Sequence, residues 1–518
     1  MASRPARRPN ILLLLTDQHA PLVSGFAGDP IVRTQALDAI AADAVQFDTA
    51  LCASPVCTPS RMCLMTAKEA HRCAAWNNHW VIFPEHVTWP GHFAAHGYRT
   101  CLVGKMHFGG ADQMQGFQHR PYGDLRHGLG HQIDPIDYFP VYAGASGAGV
   151  TEIPESLLQE NVVTRESLAF LLEHHDSQPD TPWFLCASYS RPHSPFTAPG
   201  RYIRRYRDRV PPAELPADFP DGLDDYARGC FADEVGEELT AEQQLRAREA
   251  YYACVDFVDD CIGELVRGLD AAGLLDDTIV IYTSDHGELA GHHGLWGKTV
   301  HFEPSVGVPL LMSGPGIAPG SARVAHPASL LDLFPTTCAL AGLPIPPDLD
   351  GVDLSPLLAD PVSDAAPRRY APSAYYAYGN RVRGLTESKE LEPHQAMRLV
   401  RDRDWKYVEV EGGRPVLFDM RCDPGETTNL AADPRHAERC HQMRAALFDG
   451  FSWDGVHRQL AADRERLPQF LSGLKPSTPN QYMLSDGRVF DAEGDLYGAR
   501  WLPYPDLKGG GVIPQQFG

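Results

Sequence analysis

Excess positive charge is what this sequence most plainly lacks. Lys and Arg number 45 against 67 Asp and Glu, a formal charge of −22 at pH 7. So acidic a chain is not built to neutralise a phosphate backbone or to lie on an anionic membrane, which excludes nucleic-acid and basic membrane-surface partners. An anionic small substrate stays open, because a local cationic pocket suffices for it. Long apolar runs are also missing, and none approaches the ~18 residues of a membrane span. The apolar stretch at residues 11–15 follows several basic residues. It is too short for the roughly 7–15 apolar residues of a secretory signal. It reads as a buried strand, and the chain has no Asn-x-Ser/Thr sequon, so a cytoplasmic protein is expected. Twelve Cys in 518 residues, with no C-x-x-C pair, give neither a disulfide scaffold nor a structural zinc site. Most are expected to be reduced, buried thiols.

What is present is ordinary globular composition, 43% apolar and 22% charged. Short apolar runs at 11–15, 98–103, 183–188, 278–282 and 308–312 read as buried strands. Helical patterns lie between them, at 37–44, at 167–174 and most clearly at 247–269. There Val255, Val258, Ile262, Leu265 and Leu269 recur at steps of three and four. Strands alternating with helices predict an α/β fold with a largely parallel sheet covered on both faces. Composition shifts after residue 361, and 365–371 reads as a linker. Beyond it, 397–401, 406–411 and 415–419 read as short antiparallel strands with Gly412-Gly413 as a turn, followed by a helix at 434–448. The expected organisation is a catalytic domain at 1–364, a small α+β domain at 365–467 and a tail at 468–518. The tail either wraps the body or reaches a neighbouring subunit, which raises a homodimer or tetramer as an expectation.

Ligand sites in open α/β sheets lie beyond the carboxyl ends of the strands. Here those ends carry Asp17, then Gly104-Lys105-Met106-His107, then Arg191-Pro192-His193, then Ser284-Asp285-His286-Gly287-Glu288. If these strands are parallel neighbours, two Asp, three His and a Lys meet on one rim. Two carboxylates and an imidazole can hold a divalent cation, while the lysine and remaining histidines suit an anion and proton transfer. Singly, each is weak evidence, since a strand-end Asp is more often a cap or turn residue. In Cys57-Thr58-Pro59-Ser60-Arg61, Thr58 can cap a helix and Pro59 fits its first turn. Cys57 then lies just before a helix N-terminus, where it is either a low-pKa nucleophile or a buried structural thiol.

Cys57-Thr58-Pro59-Ser60-Arg61 resembles the C-x-P-S-R signature of the type I sulfatase family, within the alkaline-phosphatase-like superfamily. Asp17, the Gly104-Lys105-x-His107 motif, Pro192-His193, Asp285-His286-Gly287-Glu288 and Gly297-Lys298 follow in the family's order, and the likeness runs over about 9–430. It implies a large, mixed, mostly parallel sheet sandwiched by helices, with a smaller C-terminal α+β domain. By resemblance, Cys57 is the precursor of a formylglycine made by a formylglycine-generating enzyme. One hydroxyl of the hydrated aldehyde attacks sulfur and expels the alcohol. The other then loses its proton, sulfate leaves and the aldehyde returns. Asp17, Asp285 and His286 resemble metal ligands, with the modified Cys57 completing the site. Ca2+ is the family default, and His286 leaves Mn2+ or Mg2+ as alternatives. The same resemblance makes Arg61 orient the modified side chain, Lys105 contact the sulfuryl group and His107 act as base for the elimination. His193 and Lys298 stabilise or protonate the leaving oxygen, and Asn78 is a substrate-side residue.

Gln18 stands where many sulfatases carry a second Asp, and is expected to bond the sulfuryl group or complete the metal shell. Asp17-Gln18 with Asp285-His286 is the pattern of the choline-sulfatase and phosphonate-monoester-hydrolase branch. Met65-Thr66-Ala67-Lys68 departs from the usual Leu-Thr-Gly-Arg. The expected activity is hydrolysis of a small or saccharide sulfate ester. The alternative on the same scaffold is a phosphonate monoester or phosphodiester hydrolase, and a non-catalytic metal-binding protein is a third reading. Gly297-Lys298-Thr299 is not a phosphate-binding P-loop, since the required glycine is His292. The alcohol is expected to be chosen by the loop at 113–153, with Tyr122, Tyr138, Phe139 and Tyr142 on hand. His292 and His293 either line the pocket or, the more frequent case, are plain loop residues, and Trp296 beside Lys298 is read as a packing residue before a substrate contact.

Overall fold

A computed structural model of the chain describes residues 8–471 and the strands Gln481–Met483 and Val489–Asp491. Within that span residues 79, 110–111, 124–143, 152–153, 214–238, 364, 366 and 377–395 are not described. Tyr138, Phe139, Tyr142 and most of the tail therefore lie outside the described residues.

Among the described residues, eight strands form the main sheet. They are β1 Asn10–Asp17, β2 Val45–Phe47, β3 Arg99–Gly104, β4 His119–Tyr122, β5 Trp183–Pro192, β6 Thr278–Ser284, β7 Leu310–Ser313 and β8 Ala322–Val324. Their order is β8-β2-β7-β6-β1-β5-β3-β4. β6, β1, β5, β3 and β4 run parallel, whereas β7 is antiparallel to both β6 and β2. The sheet is thus mixed and mostly parallel. The run at 308–312 is a strand of it, but a reversed one.

β1 shows why such a run contains no polar alternation. Leu12 and Leu14 face a core with α1 (Gln35–Ala41), α4 (Gln159–Ser177) and α5 (Ala241–Ala271). Ile11, Leu13 and Leu15 face the other core with α2 (Cys57–Thr66), α3 (Trp89–Ala95) and α6 (Leu333–Leu340). A strand buried on both faces needs apolar side chains at every position. Truncating one of these leucines to Ala would cost about 2–5 kcal/mol. The longest helix, α5, starts from a capping box in which Thr240 and Gln243 satisfy each other's backbone N–H groups.

A second, antiparallel sheet joins β9 Ala371–Tyr376, β10 Ala396–Arg401, β11 Trp405–Val410 and β12 Val416–Asp419 in that order. α7 (Ala437–Leu447) contributes Met443 and Leu447 to the core of this sheet. The end of the segment read as a linker already belongs to β9, whose Ala-Pro-Ser start gives no apolar alternation. Tyr122 is fully buried in the edge strand β4, so it is a packing residue and not part of a substrate loop. Among the described residues no helix is long and apolar enough to cross a membrane.

Candidate active site and metal centre

Register brings the loaded strand ends together. Asp17 pairs with Pro192, Thr16 with Ser284, and Gly104 with Ser188, so β1, β3, β5 and β6 end on one rim. Gly104 adopts φ +96°, and a Cβ there would sit 2.0 Å from the Ser188 carbonyl oxygen. Only glycine lets β3 turn toward Lys105 at that distance. Gly287 is held as closely, since a Cβ would lie 1.9 Å from the Pro304 carbonyl oxygen.

Cys57 is the first residue of α2, with Val56 as its N-cap in extended conformation. Thr58 does not cap the helix, as the local pattern predicted. Its hydroxyl donates to the His107 carbonyl at 2.8 Å, and its backbone N–H donates to Asn78 Oδ1 at 3.0 Å. The cap thus comes from a loop twenty residues on, and Asn78 stands at the helix start beside Cys57. The helix ends with Ala67 in the left-handed region at φ 53°, where glycine is at ease, and Lys68 Nζ bonds Asp348 at 2.7 Å.

One ligand atom from each of Asp17, Cys57, Asp285 and His286 lies within 4.8 Å of the others, and all four residues are buried. Cys57 Sγ is 3.4 Å from His286 Nε2 and 4.0 Å from Asp17 Oδ1. His286 Nδ1 donates to the Gly287 carbonyl at 3.0 Å, which turns Nε2 into the cluster. There, against the pull of burial, Asp285 raises the imidazole pKa, and a cation would take the place of the proton. The Arg61 guanidinium is fully buried and joins the two carboxylates, Nη2 to Asp17 at 2.7 Å and Nε to Asp285 at 2.8 Å. Its Nη1 donates to the Lys105 carbonyl at 2.7 Å and to Ser188 Oγ at 3.1 Å. Arg61 therefore orients the carboxylates as well as α2. Burial and Cys57 push the Asp17 carboxyl up, but Lys105, His193 and Arg61 outweigh them and hold it far below the usual range. Asp285 is pushed up by burial and by its neighbours Asp17 and Cys57, against Arg61 and His286. Two hard carboxylate oxygens, one raised by the charge of the other, and an imidazole nitrogen are a donor set that fits a divalent cation.

Cationic groups close the other side. Lys105 Nζ is 2.7 Å from Asp17 Oδ2. Lys298 Nζ lies 3.4 Å from Cys57 Sγ, 2.9 Å from His193 Nε2 and 2.6 Å from Gln18 Oε1. His193 Nδ1 donates to the Ser194 carbonyl at 2.5 Å, so Nε2 accepts from the lysine. Burial, Lys298 and Lys105 bring His193 down to about 4, which keeps it neutral at pH 7. Burial raises the Cys57 thiol, yet Lys298, Lys105, His286 and a bond to His107 carry it well below its ordinary value. The site thus brings together Asp17, Gln18, Cys57, Arg61, Lys105, His107, His193, Asp285, His286 and Lys298.

Gln18 has two side-chain partners that the sequence did not suggest. Its amide is bonded at both ends by side chains, to Lys298 through Oε1 and to Glu288 through Nε2. Glu288 is fully buried and had no role from the sequence. Its place in the Asp285-to-Glu288 run was the available signal. His292 and His293 pack on each other and on Phe302, and Trp296 is buried against Phe196, which are packing positions.

Comparison with known proteins agrees with this geometry. The profile of the sulfatase family matches residues 9–343, and that of the C-terminal region of N-sulphoglucosamine sulphohydrolase matches residues 291–450. The choline-sulfatase of Rhizobium meliloti is 32% identical over 483 residues, covering 88% of this chain and 90% of its own. Human arylsulfatase K is 26% identical over 472 residues, covering 83% and 80%. Among solved structures, the phosphonate monoester hydrolase of Agrobacterium radiobacter superposes with a TM-score of 0.69 at 23% identity, covering 93% of this chain and 99% of that one. A protein solved with its substrate D-glucosamine-2-N,6-O-disulfate gives a TM-score of 0.68 at 21% identity, covering 88% and 99%. The rim of charged strand ends and the matches to both parts of the chain have one reading: this protein belongs to the sulfatase family and is a sulfuric ester hydrolase.

Proposed function

We propose that this sulfatase hydrolyses the sulfate ester of a small alcohol or a sugar, using a formylglycine made from Cys57 and a calcium ion held by Asp17, Asp285 and His286. The observation that carries the reading is Cys57 at the start of α2, 3.4 Å from both His286 Nε2 and Lys298 Nζ. The thiol sulfur stands in for the oxygens of the hydrated aldehyde. A formylglycine supplies a hydroxyl nucleophile and an internal route for releasing sulfate. A dication supplies charge neutralisation and a lowered hydroxyl pKa.

The chain's own residues do the rest. Arg61 fixes Asp17 and Asp285 and anchors α2. Lys105 spends one N–H on Asp17 and has others for a sulfuryl oxygen. His107 is bonded to the side chain of residue 57, where it takes the proton whose loss frees sulfate. Lys298 and neutral His193 share a hydrogen bond on the opposite side, suited to giving a proton to the departing alcohol oxygen. Hard oxygen donors favour calcium, and His286 keeps manganese as the competitor. The buried, unpaired thiols among the described residues, nine in number, fit a reducing, cytoplasmic setting. The choline-sulfatase relative puts choline sulfate first among the esters to assay.

The test is coexpression with a formylglycine-generating enzyme, mass spectrometry of the peptide containing residue 57, and matched assays with an aryl sulfate and an aryl phosphonate monoester. Conversion of Cys57 with faster sulfate turnover is expected. A protein that is fully converted but prefers the phosphonate overturns the sulfatase reading. One that stays unconverted and inactive points to a non-catalytic role.

A further inference from the structure

Glu288 sits at the base of the loop that delivers Lys298, and both of its carboxylate oxygens are engaged. Its Oε1 receives the backbone N–H groups of Ala290 at 2.8 Å and Gly297 at 2.7 Å. Its Oε2 receives the amide of Gln18. The same loop is closed by Leu289 N–H to the Gly297 carbonyl at 2.8 Å, so residue 297 is held twice and residue 298 follows directly. The carboxylate thus fixes where the backbone hands over to Lys298.

It also acts through Gln18. The two ends of an amide are nearly equal in shape and opposite in polarity, and their orientation is set only by their partners. Here a carboxylate lies at one end and an ammonium at the other. Only one orientation satisfies both, with the NH2 toward Glu288 and the carbonyl oxygen 2.6 Å from Lys298 Nζ. Reversed, the NH2 group would face the ammonium, and two oxygens would face each other inside a fully buried site. Lys298, so held, places a second N–H on His193 Nε2 at 2.9 Å.

We propose that Glu288 is a positioning residue for leaving-group protonation, locking the Gln18 amide and the base of the 289–297 loop so that Lys298 stays against His193. The inference rests on the leaving-group role of Lys298 and His193 in the reading above. Its signature is a loss that depends on the alcohol. A nitrophenolate leaves readily without a proton, whereas an alkoxide does not.

The experiment compares Glu288→Gln with the wild type, both matured to the same extent at residue 57 by mass spectrometry, on 4-nitrophenyl sulfate and on an alkyl sulfate. The loss in kcat/KM is expected to be about tenfold or more larger for the alkyl ester. The double variant Glu288→Gln with Gln18→Glu restores one carboxylate and every bond, with only the bond between residues 18 and 288 reversed in direction, and is expected to recover the alkyl activity. Equal losses on both esters in a fully matured variant overturn the proposal. A crystal structure of Glu288→Gln decides it independently of turnover. Lys298 displaced from Gln18 and His193 supports it, and Lys298 unmoved overturns it. Were the wild type to hydrolyse neither ester, the sulfatase reading alone would fall and the structure of the variant would still settle the role of Glu288.

Discussion

Lys298 holds its ammonium 3.4 Å from the Cys57 sulfur, although the two residues are 241 positions apart. The same ammonium is 2.9 Å from His193 Nε2, so acid and nucleophile belong to one hydrogen-bonded group. Groups that act as a unit are not additive when removed. Lys298→Met and His193→Ala are each expected to lower kcat/KM on an alkyl sulfate by about 10²–10⁴-fold. The double variant should be close to the worse single one. Full multiplication of the two losses would show that the residues protonate nothing in common.

Arg61 hydrogen-bonds both cluster carboxylates, Asp17 and Asp285, through its guanidinium. Replacing it with Ala leaves two buried anions facing each other without their shared cation. Such a loss costs about 3–5 kcal/mol. Calcium bound between Asp17 and Asp285 is expected to recover part of that cost, so the denaturation midpoint of Arg61→Ala should rise more on adding calcium than that of the wild type. An equal rise in both proteins would mean that the carboxylates do not share the ion.

How much of this was legible in the sequence depended on the range of the interaction. β1, β5 and β6 are buried on both faces, so their apolar runs announced them, and the parallel arrangement put Asp17, His193 and Asp285 on one rim. The start of α2 misled because Thr58 and Pro59 satisfy a local rule, while the actual cap arrives from Asn78 in a separate loop. β9 was hidden because Ala-Pro-Ser carries no period-two pattern, and its strand character comes from pairing with β10. Glu288 and Gln18 are 270 residues apart, and nothing near either predicts their bond.

Lys406 of β11 is fully buried and ties the second sheet to the segment that follows Lys298. Its ammonium donates to the His301 carbonyl at 2.8 Å and to Glu303 at 3.0 Å, and pairs with Glu426. Lys406→Met deprives two carboxylates of this cation, although Arg401 still lies 3.7 Å from Glu303, and is expected to lower stability by about 3–5 kcal/mol. Adding Glu426→Gln removes one of them. The double variant should therefore be more stable than Lys406→Met alone in urea unfolding. If it is less stable, Glu426 contributes to the fold independently of the lysine.

His71 sets an acid limit on stability. It packs edge-on against Phe451, with ring centroids 5.3 Å apart. Burial first, then Arg398 and Arg72, bring its pKa down to about 3, and Glu69 at 3.9 Å is too distant to hold a proton there against them. The unfolded chain binds that proton near the ordinary value of 6.5, whereas the folded one does not. Between 6.5 and about 3 the unfolded state therefore carries more protons, and stability is lost as pH falls, by about 1.4 kcal/mol per pH unit well inside the window. His71→Gln keeps a polar side chain of similar reach but has no proton to gain. Its melting temperature should fall less between pH 7 and pH 5 than that of the wild type. Identical pH profiles for the two proteins would move the acid sensitivity to other groups.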